Sequence, residues 1–149
     1  MESTIAKQSF TGTSLAISLE KQKETKMIKP QMKEKDHLEK TTGEIKNIYR
    51  RIKTELLMIN NKLLFNSQRY YISLRKDKNL AFFHFTRKKI SVVVMNSKTN
   101  TKKQIKHHEI KSLTEKVQKF WNGPSCTVVI ENEKHLHEVV VLLKKLISV

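Results

Sequence analysis

An α+β domain with a small, mostly antiparallel sheet is the fold this sequence predicts, and three observations predict it. First, Ile45, Ile48, Ile52, Leu56, Ile59 and Leu63 recur at steps of three and four, which is one apolar stripe on a helix. Second, the period then changes. "YYISLR", "LAFFHF" and "ISVVVM" are short runs rich in β-branched and aromatic residues, separated by the polar turns "KDKN" and "TRKK". Third, "CTVVI" reads as one more strand, and a second helical stripe of Leu136, Val139, Val140, Leu143 and Ile147 follows it. Helices on one face of a sheet of about four strands, in the order α-β-β-β-α-β-α, accommodate this pattern.

Each element has its own justification. Thr41 and Glu44 have the spacing of a capping box, so the first long helix is expected to start there, with Lys46, Arg50, Lys53 and Asn60 on its solvent side. In the third strand Ile90, Val92 and Val94 share one face and look into the core, which leaves Ser91, Val93 and Met95 on the other. Residues 96–111 read as a polar, basic connection. "SLTEKVQKF" then makes a short helix with Leu113, Val117 and Phe120 inward. In "VQKFWNGPSC" the Gly123–Pro124 pair ends that helix and turns the chain into the fourth strand, with Trp121 folded down as a lid on the core edge. Asn132 is expected to cap a final helix running from about Glu133 to Ile147.

Residues 1–33 are rich in Ser, Thr, Lys and Gln, and only "LAISL" is strand-like. They are expected to form a weakly ordered arm before a single α+β domain over 34–149. At 149 residues the chain has room for one ordinary core.

Composition bounds the function. The net charge of +16 points to a polyanionic partner such as nucleic acid, DNA or RNA, or an anionic membrane surface, because lysine and arginine displace counterions from phosphates. Only Arg50, Arg51, Arg69, Arg75 and Arg87 are arginines, so the charge is mostly carried by lysines, which lack the planar fork that reads guanine or clamps a phosphate. A single cysteine, Cys126, excludes an internal disulfide and any multi-thiolate zinc site. With no leader-like or membrane-spanning apolar run, the expected location is the cytoplasm and no membrane partner is expected.

"KDHLEKTTGEIKNIYRRIKTELL", "RYYISLRKDKNLAFFHFTRKKISVVV", "KFWNGPSCTVVI" and "ENEKHLHEVVVLLKKLI", taken in order over residues 34–147, resemble the C-terminal domain of unknown function found in bacterial "predicted transport proteins". Asp36, His37 and Leu38 match that family's acidic-His-Leu start. Tyr71 and Ile72, Asn79 and Phe82, and Lys88, Lys89 and Ile90 match its three strands, and Trp121, Asn122 and Gly123 fall in its Gly-rich loop. The loop's usual His and final Asp are absent, with Lys119 and Pro124 or Ser125 near their places. In larger relatives the domain follows a restriction-endonuclease-like domain, whose metal site does not fit into 33 residues. The resemblance therefore implies an accessory module, with residues 15–33 as a stub of the lost domain's last strand.

No catalytic signature emerges, and neither a cofactor nor a metal site is expected. The carboxylates after residue 42 do not pair at the spacing that nucleases or glycosidases need. His107 and His108 sit in the polar connection, and His135 and His137, two apart on a helix, point to different faces. Cys126 heads a strand and reads as a small buried residue. What remains is the basic stretch from Arg87 to Lys119. The expected activity is non-enzymatic: nucleic-acid binding through backbone phosphates with little sequence preference, carried by Lys88, Lys89, Lys102, Lys103, Lys106 and Lys111, with Arg50, Arg51 and Arg87 as secondary contacts. The alternative is a protein-interaction module, self-associating or docked on a partner such as a nuclease, through the outer sheet face that carries Val93 and Met95. Tyr49 and Tyr70 are expected in the core rather than as stacking platforms.

Overall fold

The computed structural model describes residues 32–148. The arm expected over residues 1–33 lies almost wholly outside the described residues.

Two short polar segments lead into the first long helix. Helix α1 (Glu34–Leu38) is a single turn, and helix α2 (Gly43–Ile59) carries the predicted stripe, with Ile45, Ile48, Ile52 and Leu56 all buried. The cap is Thr42 rather than Thr41: the Thr42 hydroxyl accepts the Ile45 amide, whereas Thr41 is drawn away to donate its hydroxyl to the Arg87 carbonyl at 2.9 Å. Ile59 is exposed at the helix end, and Leu63 is buried beyond it.

The sheet has six strands, not four: β1 (Leu64–Ser67), β2 (Ile72–Arg75), β3 (Asn79–Phe85), β4 (Ile90–Val94), β5 (Glu109–Ser112) and β6 (Cys126–Ile130). They lie in the order β1-β2-β3-β4-β6-β5, and every neighbouring pair is antiparallel. The two unpredicted strands are the two edges. β1 alternates only between exposed and half-buried side chains and β5 is mostly exposed, so neither has the fully buried face that marks a strand in a sequence.

The connection expected over 96–111 is therefore structured. Ser97 caps helix α3 (Lys98–Gln104) by accepting the Asn100 amide, and Ile105 then anchors the chain in the core before β5. Helix α3 turns only Thr101 fully inward, where its hydroxyl meets the Cys126 thiol at 3.3 Å. Helix α4 (Glu115–Phe120) follows, capped by Thr114, and the final helix is α5 (Leu136–Ser148).

Alternation separates the two faces of the sheet. Ile72, Leu74, Phe83, Val92 and Val128 meet the stripes of α2 and α5 in the main core, where Tyr49 is also buried, edge-on to Phe83 and Phe85. The helices do not all sit on that side. Helix α4 covers part of the opposite face, where Phe82, Val93, Val117 and Trp121 form a second cluster with Tyr70, Tyr71, Met95, Leu113 and Phe120 around it. Trp121 packs on Phe82 with ring centroids 4.0 Å apart and planes tilted by 35°. It is thus the centre of this smaller core rather than a lid on the main one. Val93 is buried there and Met95 half-buried, so the outer-face apolar pair is occupied by the chain's own helix. Asn122 at φ 70° and Gly123 at φ 152° make the turn that releases the chain into β6. The left-handed geometry is the reason a glycine stands there.

Candidate nucleic-acid interface

The nine basic residues singled out from the sequence do not form one surface. Arg50 and Arg51 lie on the exposed side of α2, where Arg51 is engaged with Glu55 one turn on, at 3.0 Å. Arg87, Lys88 and Lys89 occupy the β3–β4 turn, which is tied to the start of α2 through the Thr42 amide and the Arg87 carbonyl. Lys103 faces α5 and lines a cavity of about 280 Å³ with Asn96, Asn100, Gln104, Leu142 and Lys145.

The remaining three border one edge. Lys98 places its ammonium 2.8 Å from the Ser112 hydroxyl, so that side of α3 looks onto β5. Lys102, one turn later, shares that side. Lys106 follows in the loop that leads into β5, and Lys111 stands on β5 itself, in register with Thr127. Lys98, Lys102 and Lys106 therefore lie on the α3 side of the free β5 edge, while Lys111, paired with Thr127, flanks that edge from the opposite sheet face. Lys98 belongs to the basic stretch from Arg87 to Lys119 but is not among the contacts singled out from the sequence. Its signal was present in the spacing of four to Lys102, but only on a helix, and no helix was expected there.

Among the described residues the ion pairs are Arg51–Glu55, Lys53–Glu34 and His107–Glu138. None uses an ammonium of these four lysines. Lysines on an edge strand also have a structural use, since a charged edge resists pairing with another sheet.

The tightest polar cluster lies at the loop between α3 and β5. Glu138, in the first turn of α5, is only 7% exposed at its side chain. Its Oε1 accepts the amides of Lys106 and His107, both at 3.0 Å, and its Oε2 meets His107 Nδ1 at 2.6 Å. Burial pushes this carboxyl up, but the His107 imidazole, the two amides and the attraction of His107 outweigh it and hold the group down at about 2. The ring of His135 lies flat on that of His107, 3.7 Å between centroids and 10° between planes. His108 donates through Nε2 to the His135 carbonyl at 3.0 Å. Contrary to the sequence reading, His135 is not on the helix with His137. The Asn132 side chain accepts the Lys134 amide in a local turn, the helix begins at Leu136, and His135 takes a left-handed backbone at φ 58°.

Other ionisable groups are bound into the fold. Tyr49 donates to Glu34 at 2.7 Å, and burial pushes its phenol far up. Burial also pushes Glu34 up, yet the bonds from Lys53 and Tyr49 bring it below its usual range. His37 is buried, and its Nε2 donates to the Gln68 carbonyl; burial keeps the ring neutral-leaning. Cys126 is fully buried and burial raises its thiol, as a packing residue requires.

No helix among the described residues is long and apolar enough to cross a membrane. No family model and no solved structure matches the chain. Among curated proteins it is similar to an uncharacterised protein of Haemophilus influenzae, at 24% identity over 140 residues. The match takes in 89% of this chain and 43% of that protein, so the chain spans less than half of its relative's length.

Proposed function

We propose that this chain is a non-catalytic module that binds nucleic acid through backbone phosphates, using the lysines that border β5. The observation that carries the reading is that Lys98, Lys102, Lys106 and Lys111 border one sheet edge and make no ion pair among the described residues. Ammonium groups on flexible stems bind phosphate oxygens as point charges, so affinity is moderate, similar for all sequences and steeply dependent on salt. Arg87, Lys88 and Lys89 add a second contact point, and Lys103, Arg50 and Arg51 contribute to the general field. The resemblance to the C-terminal domain of the "predicted transport proteins" fits an accessory role beside a larger partner domain. A buried, unpaired Cys126 suits a reducing compartment, the cytoplasm.

Labelled DNA and RNA duplexes titrated over a salt series test this. With about five phosphates neutralised, log K against log salt on duplex DNA has a slope of about −4.5. Changing Lys102, Lys106 and Lys111 together to Glu keeps the edge charged, and so keeps it protected against sheet pairing, but repels phosphate. Binding to every sequence then falls alike. If the triple variant binds as the wild type does, these lysines serve only to guard the edge.

A docking or self-association role is favoured by a different observation: Met58, Ile59 and Leu64 are exposed together where α2 hands over to the edge strand β1. A salt-insensitive dimer in light scattering, with no nucleic-acid affinity at low salt, would put that reading in place of the first.

A further inference from the structure

We infer that His107, His135 and Glu138 form a binding site for a transition-metal dication of the zinc class, at the junction of the α3–β5 loop and the start of α5. Each offers one ligand atom, and these atoms lie within 4.8 Å of one another, the one such grouping found among the described residues. Two imidazoles and one carboxylate make a donor set that suits Zn²⁺ and its neighbours rather than Mg²⁺ or Ca²⁺, which favour oxygen alone.

Three features distinguish this cluster from chance surface histidines. Glu138 is buried, and two backbone amides fix its Oε1, which leaves Oε2 turned to the histidines. Hydrogen bonds of this kind orient a ligating carboxylate. His135 is held over His107 by a left-handed backbone that costs a non-glycine residue about 1–2 kcal/mol. Its carbonyl is in turn pinned by His108. Finally, both histidines are exposed, so their rings can turn into solvent-side space.

Movement is needed. A metal lies in the plane of each imidazole it binds, so two rings stacked at 10° must rotate apart to share one ion. Tetrahedral zinc with bonds of about 2.0–2.1 Å spaces its ligand atoms roughly 3.4 Å apart, so separations of up to 4.8 Å must close by about 1.4 Å at most, while His107 Nδ1 and Glu138 Oε2, now 2.6 Å apart, must open to admit the ion. Where His107 Nδ1 is the ligand, Zn²⁺ takes the place of the proton shared with Glu138 Oε2, and that proton leaves to solvent. Three protein ligands leave the fourth position to water.

Isothermal titration of the full chain with ZnCl₂, in a buffer that does not chelate, is the test. The expected result is one Zn²⁺ per chain, reversed by EDTA and not mimicked by MgCl₂. His135→Gly suits the left-handed backbone and removes one ligand; it and His107→Gln are each expected to weaken Zn²⁺ binding by about tenfold or more. Equal binding by the wild type and both variants, or no saturable binding by the wild type, overturns the inference. Should a variant fail to fold, acylation of histidines by diethyl pyrocarbonate in the wild type decides. Zn²⁺ must protect His107 and His135 while leaving His84 as reactive as before, and absence of that protection overturns the site.

Discussion

Replacing Glu138 by Gln probes a buried carboxylate that ties the start of α5 to the loop between α3 and β5. The side chain keeps its shape and its Oε1 still accepts the amides of Lys106 and His107, but the charge facing His107 Nδ1 is gone. The wild-type carboxyl sits at about 2, against 4.5 for the free group. A difference of that size corresponds to about 3 kcal/mol of stability. Its sign follows from the direction. A carboxyl held below its unfolded value stabilises the fold at all pH above that unfolded value, and the contribution fades as pH falls from about 4.5 toward about 2. Urea unfolding of both proteins at neutral pH and at steps down to about pH 3 measures it. Gln is expected to be less stable by about 2–3 kcal/mol at neutral pH, with the gap narrowing on acidification. A gap independent of pH, or none at neutral pH, would refute the view that the buried charge holds the loop. Metal-free buffer with EDTA keeps this measurement separate from zinc binding.

Two further outcomes follow from the packing. Trp121→Ala removes the centre of the second cluster and is expected to cost about 3 kcal/mol, at the low end for a large aromatic. The reason is that its buried Nε1–H has no acceptor among the described residues and is desolvated without return; urea unfolding followed by circular dichroism gives the value. Thr42→Ala is expected to cost about 1 kcal/mol as a lost helix cap. Glu44→Ala, by contrast, is expected to cost less, because Thr42 rather than Thr41 caps the helix and Glu44 is then not the capping-box partner.

The parts of the fold that were legible are those whose side chains are buried by a regular rule. Cys126–Ile130 lies within the sheet, is buried throughout and reads as an apolar run; the stripes of α2 and α5 each face one core. What escaped was written in polar residues for a physical reason. β1 (Leu64–Ser67) and β5 (Glu109–Ser112) are edges, bonded on one side only, so most of their side chains meet water. Helix α3 buries a single Thr fully and so shows no apolar period. The second cluster was hidden because alternation tells which residues oppose the core, not what covers them. The Glu138–His107 pair spans 31 residues, beyond any local pattern, and the positive φ of His135 breaks a helix that the sequence would otherwise extend.

These omissions bear on function, since the unexpected elements hold the candidate sites. Helix α3 and strand β5 gather part of a diffuse basic stretch along one sheet edge. The helix brings Lys98 and Lys102 onto the β5 side, while the strand fixes Lys111 at the free edge. The loop between them is fastened by Glu138, so Lys106 is held beside this edge by a buried carboxylate rather than left to drift. An ion bound by His107, His135 and Glu138 would sit one residue from Lys106 and add positive charge where phosphate is expected to approach. Zinc is then expected to strengthen nucleic-acid binding by the wild type without changing its indifference to sequence. The same addition should have no effect on the His135→Gly protein, and that comparison separates an ion acting at this loop from zinc bridging DNA and surface lysines at large.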